Sequence, residues 1–216
     1  MSWQLALARE LSERLPGTAR LQLAGSATTP DLLDGWSDVD LHVDLESAEP
    51  VDLLAGLPVW AATVESTPDR QVVRTVLDDG RRLDLTVRGG HVVTPEPAVD
   101  NDVRFLAVLA AAKLGRGDRL IGLHLTLDLL RTCLVQAMML RDRDLGTTVH
   151  RVGSDRDELA DEVAALAGSA PEVRPRPNVV ERAVALYARW RAELDPSYRP
   201  DWTGLSAVLD RGLGGR

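Results

Sequence analysis

Residues 37–45 constrain the fold more than any other part of the chain. Within Ser37–Leu45, polar and apolar side chains alternate strictly from Asp38 onward. A period of two places alternate side chains on opposite faces of an extended strand, so this segment predicts a half-buried strand. One face carries Val39, Leu41, Val43 and Leu45, and the other carries Asp38, Asp40, His42 and Asp44.

Two carboxylates on the polar face of this strand form the first candidate site. Asp38 and Asp40 lie one pleat apart on the same side, where like charges repel unless a proton or cation holds them together. A later segment, 81–87, places Asp84 opposite Leu83 and Leu85. If the two strands are neighbours, the three carboxylates converge. Carboxylate oxygens suit Mg²⁺, a hard ion that often keeps substrate phosphates among its ligands.

The strand before this one ends in Gly25-Ser26. Glycine lets the backbone approach a phosphate without a Cβ in the way, and the Ser26 hydroxyl and nearby N–H groups can donate hydrogen bonds to it. The alternative is that the acids are the solvated polar face of an edge strand, since a lone Asp-x-Asp occurs by chance in many chains. The combination of Gly25-Ser26, Ser37, the Asp pair and the third Asp favours a metal and phosphate site.

The rest of the chain predicts an α+β protein in two parts. Residues 2–15 predict a helix, residues 50–57 a possible short helix, and the first half is otherwise strands, including a hairpin of 71–77 with 82–87. After the Pro-rich stretch 94–97, nearly every segment has helical periodicity, and Pro171–Pro177 is expected to be an extended connector. We therefore expect a mixed-sheet catalytic domain at 1–97 and a helical-bundle, substrate-binding domain at 98–216. The expected later helices are 101–114, 118–140, 155–166, 179–194 and 205–213.

Composition limits the classes of function. The chain has 25 Lys and Arg against 33 Asp and Glu, a net charge of −8. We expect no nucleic-acid partner, because phosphate affinity comes from clustered basic residues. No apolar run is expected to reach the roughly 20 residues needed to span a bilayer. Cys133 is the single cysteine and cannot form an internal disulfide, which suits a reducing compartment. We expect a cytoplasmic protein without a membrane partner, and the sequence leaves the oligomeric state open.

The residues of the candidate site resemble those of a known superfamily. Gly25-Ser26, Ser37-Asp38-Val39-Asp40-Leu41 and Leu83-Asp84-Leu85 are similar to the signature of the nucleotidyltransferases, which transfer a nucleoside monophosphate from a nucleoside triphosphate. Further segments resemble the streptomycin-type aminoglycoside adenylyltransferases and the lincosamide nucleotidyltransferases. These segments are 77–86, 101–105, 112–118 and 130–131.

The resemblance implies roles for individual residues. Asp38 and Asp40 would bind Mg²⁺ that bridges the triphosphate of ATP or another nucleotide, and Asp84 would complete the metal ligands or take the proton from an acceptor hydroxyl. Lys113 is similar to a lysine that family members direct at the phosphates, although it also fits a surface residue at a helix end. The nucleotide-binding set is then Gly25, Ser26, Ser37 and Lys113.

The acceptor is expected to be a small polar molecule such as an aminoglycoside or lincosamide. Asp100, Asp102 and Asp128 are candidates to receive its amino groups, although each also fits a helix cap or a solvated charge. Two other functions remain open. One is a nucleotidyltransferase that modifies a protein or tRNA, and the other is a nucleotide-binding module without turnover.

Overall fold

A computed structural model describes residues 2–29, 33–46, 49–149, 152–168 and 178–214. The expected connector Pro171–Pro177 lies outside these residues. The chain divides into two compact units. The first holds the described residues up to Phe105 and from Thr203 onward, and the second holds Leu106–Trp202. The predicted class, an α+β protein with a mixed sheet and flanking helices followed by a helical part, is confirmed.

A five-stranded mixed sheet forms the first unit. The strand order is β1-β2-β5-β4-β3, with β2 and β5 parallel and the other neighbours antiparallel. The predicted hairpin of β4 and β5 is confirmed. The elements before the division are helix α1 (Trp3–Arg14), β1 (Arg20–Ala24), a 3₁₀ turn (Gly25–Thr28), β2 (Val39–Asp44), β3 (Val59–Thr67), β4 (Arg70–Leu77) and β5 (Arg82–Arg88).

One face of the sheet carries the hydrophobic core. Val39, Leu41 and Val43 of β2 are fully buried, and they belong to the same cluster as Leu7 and Leu11 of α1. The polar positions of β2 lie on the opposite face and are half-buried or exposed. The alternation in the sequence therefore leaves the acidic face of β2 free of core packing.

The last helix, α6 (Thr203–Gly214), belongs to the first unit. Its glycines allow close packing, since a Cβ on Gly204 would lie 2.4 Å from the Trp60 ring and one on Gly212 would lie 2.2 Å from the Trp36 ring. The units therefore differ from the expected domains, 1–97 and 98–216. The first unit extends to Phe105 and also contains α6. The glycines of α6 allow this helix to pack closely against Trp36 and Trp60.

Helices make up the second unit. They are α2 (Asn101–Arg116), which contains the division at Phe105, α3 (Arg119–Leu145), α4 (Leu159–Gly168) and α5 (Asn178–Leu194). The Asp118 side chain caps α3 by accepting a hydrogen bond from the Ile121 N–H, and Gly146, with φ +64°, ends it. Residues 50–57 form turns and a short bridge of Val51 with Val92 rather than the possible helix, because Pro50, Gly56 and Pro58 interrupt helical backbone.

One described helix, α3, is long and apolar enough to cross a membrane by length and composition. The expectation that no apolar stretch reaches that size was therefore wrong. Only 39% of the 18-residue apolar segment of α3 is buried. The buried side of the helix includes Leu129, Cys133 and Leu140. Core helices pass the same test of length and composition, so α3 by itself is weak evidence for a membrane.

Candidate active site

The sheet brings the three predicted carboxylates together. In the parallel pairing of β2 with β5, Asp40 lies directly opposite Asp84. On the other side of β2, Asp40 lies opposite Ala24, the last residue of β1. Asp38 immediately precedes β2 on the same polar face. β2 and β5 are therefore neighbouring strands. Asp38, Asp40 and Asp84 converge as the sequence predicted for neighbouring strands.

Gly25 is fitted closely to the Asp40 carboxylate. It begins the turn after β1 with φ +54°, in the left-handed region that favours glycine. A Cβ at this position would lie 2.0 Å from the Asp40 Oδ2 atom. Any other side chain here would displace the carboxylate, so the sequence needs glycine at 25 for Asp40 to keep its place.

Burial and mutual repulsion raise the pKa values of two of these acids. The pKa of Asp84 is raised from 3.8 to about 7, chiefly by burial and then by the charges of Asp38 and Asp40. The pKa of Asp40 is also raised, by burial first and by Asp38 second. Nearby arginines oppose both shifts. Neighbouring cations therefore compensate the negative charge of Asp38, Asp40 and Asp84 only in part, which favours binding of a proton or a cation by these carboxylates.

Two arginines that the sequence analysis did not select lie among the carboxylates. The buried Arg82 guanidinium is 3.5 Å from Asp38 Oδ2 and donates a hydrogen bond to the Trp36 carbonyl. Arg74 is 3.5 Å from Asp84 Oδ2 and 2.8 Å from Glu65 Oε1. The structure pairs Arg74 with Asp84 across β4 and β5, and the predicted hairpin of these two segments was the sequence signal that could have pointed to it.

A cleft of about 270 Å³ opens over the polar face of the sheet. Gly25, Asp40 and Asp84 lie along it, together with Arg74 and Thr86. A cleft lined by two acids, a guanidinium, a hydroxyl and exposed glycine backbone can hold a phosphate group with its counter-ion.

The two predicted serines differ in their surroundings. Ser26 is half-buried in the turn Gly25–Thr28. Ser37 is 1% exposed, and its hydroxyl donates to Asp34 Oδ1 at 2.8 Å and accepts from the Asp34 N–H at 3.0 Å. The Ser37 hydroxyl thus holds the loop that leads into β2, and it positions Asp38 rather than facing the cleft.

The remaining predicted residues lie just before α2 or on the helices α2 and α3. Lys113 is on α2 in the second unit, with Nζ 3.8 Å from Asp118 Oδ2. The buried Asp100 carboxylate accepts a hydrogen bond from Arg104 Nε at 2.6 Å. Asp102 is exposed in the first turn of α2. Asp128, on α3, is 3.6 Å from Arg131 and 3.8 Å from His124.

The carboxylates fit Mg²⁺ that arrives with phosphate better than a metal held by the protein alone. Among the described residues, no three His, Cys, Asp or Glu side chains form a ready-made metal group. Mg²⁺ commonly uses one or two carboxylates and takes its other ligands from phosphate and water. Asp40, with Asp38 or Asp84, provides such an incomplete oxygen set beside the cleft.

Comparisons with known proteins leave the family open. No protein-family model matches the chain, and no curated protein matches it. Among solved structures, the chain is similar to the polymerase core of TRAMP, an RNA surveillance complex, with 16% identity and a TM-score of 0.28. The match covers 86% of this chain and 55% of that one, so this chain spans about half of that protein's length.

Proposed function

We propose that the chain is a nucleotidyltransferase that transfers a nucleoside monophosphate, AMP from ATP, to a hydroxyl of a small polar acceptor and releases pyrophosphate. The observation that carries this proposal is the placement of Asp40 opposite Asp84 on parallel neighbouring strands, directly against the Gly25 turn. Paired carboxylates beside exposed glycine backbone are what attack on an α-phosphorus requires, because the reaction needs both a cation site and a phosphate site.

In this proposal Asp38 and Asp40 hold Mg²⁺ together with the triphosphate. When bound, Mg²⁺ supplies positive charge that offsets the charge of the departing pyrophosphate. Asp84 either completes the ligand set or accepts the proton of the acceptor hydroxyl. In the metal-free protein the pKa of Asp84 is about 7, raised by burial and by Asp38 and Asp40. Bound Mg²⁺ would offset the charges of Asp38 and Asp40 and so favour the ionised form of Asp84, which either role requires.

The Gly25-Ser26 turn and Arg74 would hold the phosphates, since all three border or adjoin the cleft. Lys113 remains a proposed phosphate ligand. Asp102 and Asp128 remain proposed contacts for acceptor amino groups, whereas the buried pair of Asp100 with Arg104 favours a structural function for Asp100.

The charge distribution supports a cationic acceptor. The segment 31–52 carries eight acidic residues and no lysine or arginine, and it contains the Asp38 and Asp40 pair. A concentrated negative field draws polycations to a cleft. An aminoglycoside is therefore the proposed acceptor, with a lincosamide as the neighbouring choice. The proposed setting is antibiotic inactivation in the cytoplasm, without a nucleic-acid or membrane partner.

Pyrophosphate release tests the proposal. The wild-type protein, Mg²⁺, each nucleoside triphosphate and a panel of aminoglycosides and lincosamides should yield pyrophosphate and a nucleotide-modified drug. Asp40→Asn should reduce the rate by at least about a hundredfold, and Asp44→Asn, at an exposed acid on the same strand face, should not. Equal activity in Asp40→Asn and wild type would contradict the assignment of the site.

A second candidate, a module that binds nucleotide without turnover, is favoured by one observation. Arg82 pairs with Asp38 and Arg74 with Asp84, so arginines already compensate part of the charge that a cation would neutralise. Calorimetric binding of a triphosphate, with no pyrophosphate from small acceptors, tRNA or protein, would establish this candidate. Labelling of a protein or tRNA by α-labelled ATP would instead establish modification of a macromolecule.

A further inference from the structure

The polar face of the sheet carries most of the basic residues of the first half of the chain. Residues 1–99 contain eight arginines and no lysine. Five of these arginines lie on this face, on β1, β4 and β5: Arg20, Arg70, Arg74, Arg82 and Arg88. Arg74 and Arg82 lie 3.5 Å from carboxylates of the candidate active site. The other three take no part in the proposed transfer reaction.

The strand register places these three arginines in one row across the sheet. Arg20 of β1 lies opposite Asp44 of β2, and Asp44 lies opposite Arg88 of β5. Arg88 in turn lies opposite Arg70 of β4. All four side chains are exposed. Because neighbouring strands are about 4.8 Å apart, the four residues span roughly 15 Å, and we call them the arginine row.

The charges within the arginine row are not balanced. Side chains directly opposite on antiparallel strands have Cβ atoms about 4.5–5.5 Å apart, and like charges there repel, so Arg70 and Arg88 destabilise each other. Within the described part of the chain, no carboxylate forms an ion pair with Arg20, Arg70 or Arg88. Asp44 supplies one negative charge against three positive charges. The excess of two positive charges favours binding of an anion.

A phosphate group matches the arginine row in charge and in geometry. A phosphate monoester carries a charge of about −1.5 to −2 at neutral pH, which offsets the excess positive charge of the row. A guanidinium group donates paired hydrogen bonds that fit the oxygens of phosphate. Because Arg70 and Arg88 are directly opposite each other, both guanidinium groups can donate to one phosphate group.

The surroundings of the arginine row favour a small ligand over a nucleic acid. A nucleic-acid strand binds through a series of basic contacts along its backbone. Toward the candidate active site, the next positions on this face are Gln22, His42 and Thr86. Near the other end of the strands, Glu46 and Asp69 are acidic and exposed. A short basic row bordered in this way suits a single phosphate group.

We propose that the arginine row binds the terminal phosphate group of a small molecule. Arg70 and Arg88 are its principal ligands, and Arg20 is a weaker ligand because Asp44 stands next to it. The row lies four residues along β2 from Asp40, a distance of about 13 Å in a strand. The site is therefore separate from the proposed metal and triphosphate site, and it is independent of the proposed transfer activity.

A titration followed by amide chemical shifts tests this site. Inorganic phosphate and glycerol phosphate are added in the presence of chelator, which removes the Mg²⁺ on which the proposed triphosphate site depends. Both probes should bind saturably and shift the amide signals of residues 70 and 88, and glycerol should not. Asp40→Asn, which should abolish transfer, should keep this binding, so failure of one proposal is distinguishable from failure of the other. Absence of saturable phosphate binding to the wild-type protein would overturn the site.

Matched substitutions test which arginines bind the phosphate. Arg70→Gln and Arg88→Gln should each weaken phosphate binding at least about tenfold, because each removes a charge-assisted contact. Arg20→Gln should weaken it less. Arg9→Gln, at an exposed arginine of α1, should leave the affinity unchanged. An equal loss in Arg9→Gln and Arg88→Gln would show that net charge, and not the arginine row, determines the binding.

The acid of the row and a nucleic-acid probe complete the test. Asp44→Asn should strengthen phosphate binding at least about threefold, because it removes the one negative charge of the arginine row. An unchanged affinity in Asp44→Asn would contradict the location of the site. A short single-stranded oligonucleotide without a terminal phosphate should not compete with glycerol phosphate. Competition that Arg88→Gln abolishes would reject the small-molecule ligand in favour of a nucleic acid.

Discussion

The pKa of Asp84 depends on the strand pairing of the sheet. Its β5 position is half-buried, and two other carboxylates act on it through the neighbouring strand. Arg74 and Arg82 compensate only in part, since the pKa of Asp84 still rises to about 7. Near neutral pH the group is thus poised between the protonated form and the anion that a metal or an acceptor hydroxyl would use.

We expect Asp84→Asn to stabilise the metal-free protein in a pH-dependent way. With a folded pKa near 7 and an ordinary value of 3.8, the wild-type carboxyl contributes stability that is complete below pH 3.8 and is lost as the pH rises through 7. Asparagine resembles the protonated form, so the Tm gain of the variant should grow between about pH 4 and pH 8. Thermal unfolding in chelator measures it, with Asp44→Asn as the control for loss of one charge. A gain independent of pH would contradict the raised pKa.

We expect Arg82→Leu to destabilise the first unit by about 2–3 kcal/mol. Arg82 is 8% exposed, and its loss leaves the Trp36 carbonyl without this donor and Asp38 without its nearest cation. Urea unfolding measures the change in free energy. Arg88→Leu, at an exposed arginine on the same strand, should change it by less than about 0.5 kcal/mol. Similar losses of unfolding free energy in both variants would show that the buried Arg82–Asp38 pair stabilises the protein no more than an exposed arginine does.

At the scale of elements, the β4–β5 hairpin and the α6 helix illustrate two kinds of predictability. The hairpin follows from local signals, a Val-rich segment at 71–77 and an alternating segment at 81–87 around Asp78-Asp79-Gly80. The register that pairs Arg74 with Asp84 comes from the structure. The periodicity of α6 was equally clear, but periodicity does not say which part of the molecule a helix packs against. Its partners, Trp36 and Trp60, are distant in sequence.

The glycines of α6 provide a matched pair for testing that packing. A Cβ on Gly212 would lie 2.2 Å from the Trp36 ring, whereas nothing lies within 4 Å of one on Gly214. Gly212→Ala should therefore destabilise by about 1–3 kcal/mol through overpacking, despite the better helix propensity of alanine. Gly214→Ala should be neutral or slightly stabilising. Denaturant unfolding followed by Trp fluorescence compares the stability of the two variants. Equal stability would contradict the packing of Gly212 against the Trp36 ring.

For the whole molecule, the first unit depends on the last helix of the chain. Leu205, Val208 and Leu209 of α6 are at most 2% exposed, and burial of such side chains contributes about 1.5–3 kcal/mol each. A chain that ends after Trp202 should lose most of the stability of the first unit. Limited proteolysis should then cleave within residues 1–105 while the helices of 106–202 persist. A chain that ends after Gly214 is the control, and equal protease resistance of both would contradict this dependence.

The sequence by itself determined the half-buried strand, the shared face of Asp38 and Asp40, the hairpin and most helices, because these depend on side-chain periodicity over a few residues. Only the tertiary structure decided that β2 and β5 are parallel neighbours with Asp40 opposite Asp84, that Arg82 reaches Asp38, and that α6 joins the first unit. These features arise from pairing between distant segments. The free energy that stabilises these features comes from burial and charge interactions in the assembled sheet. A local sequence pattern does not contain this information.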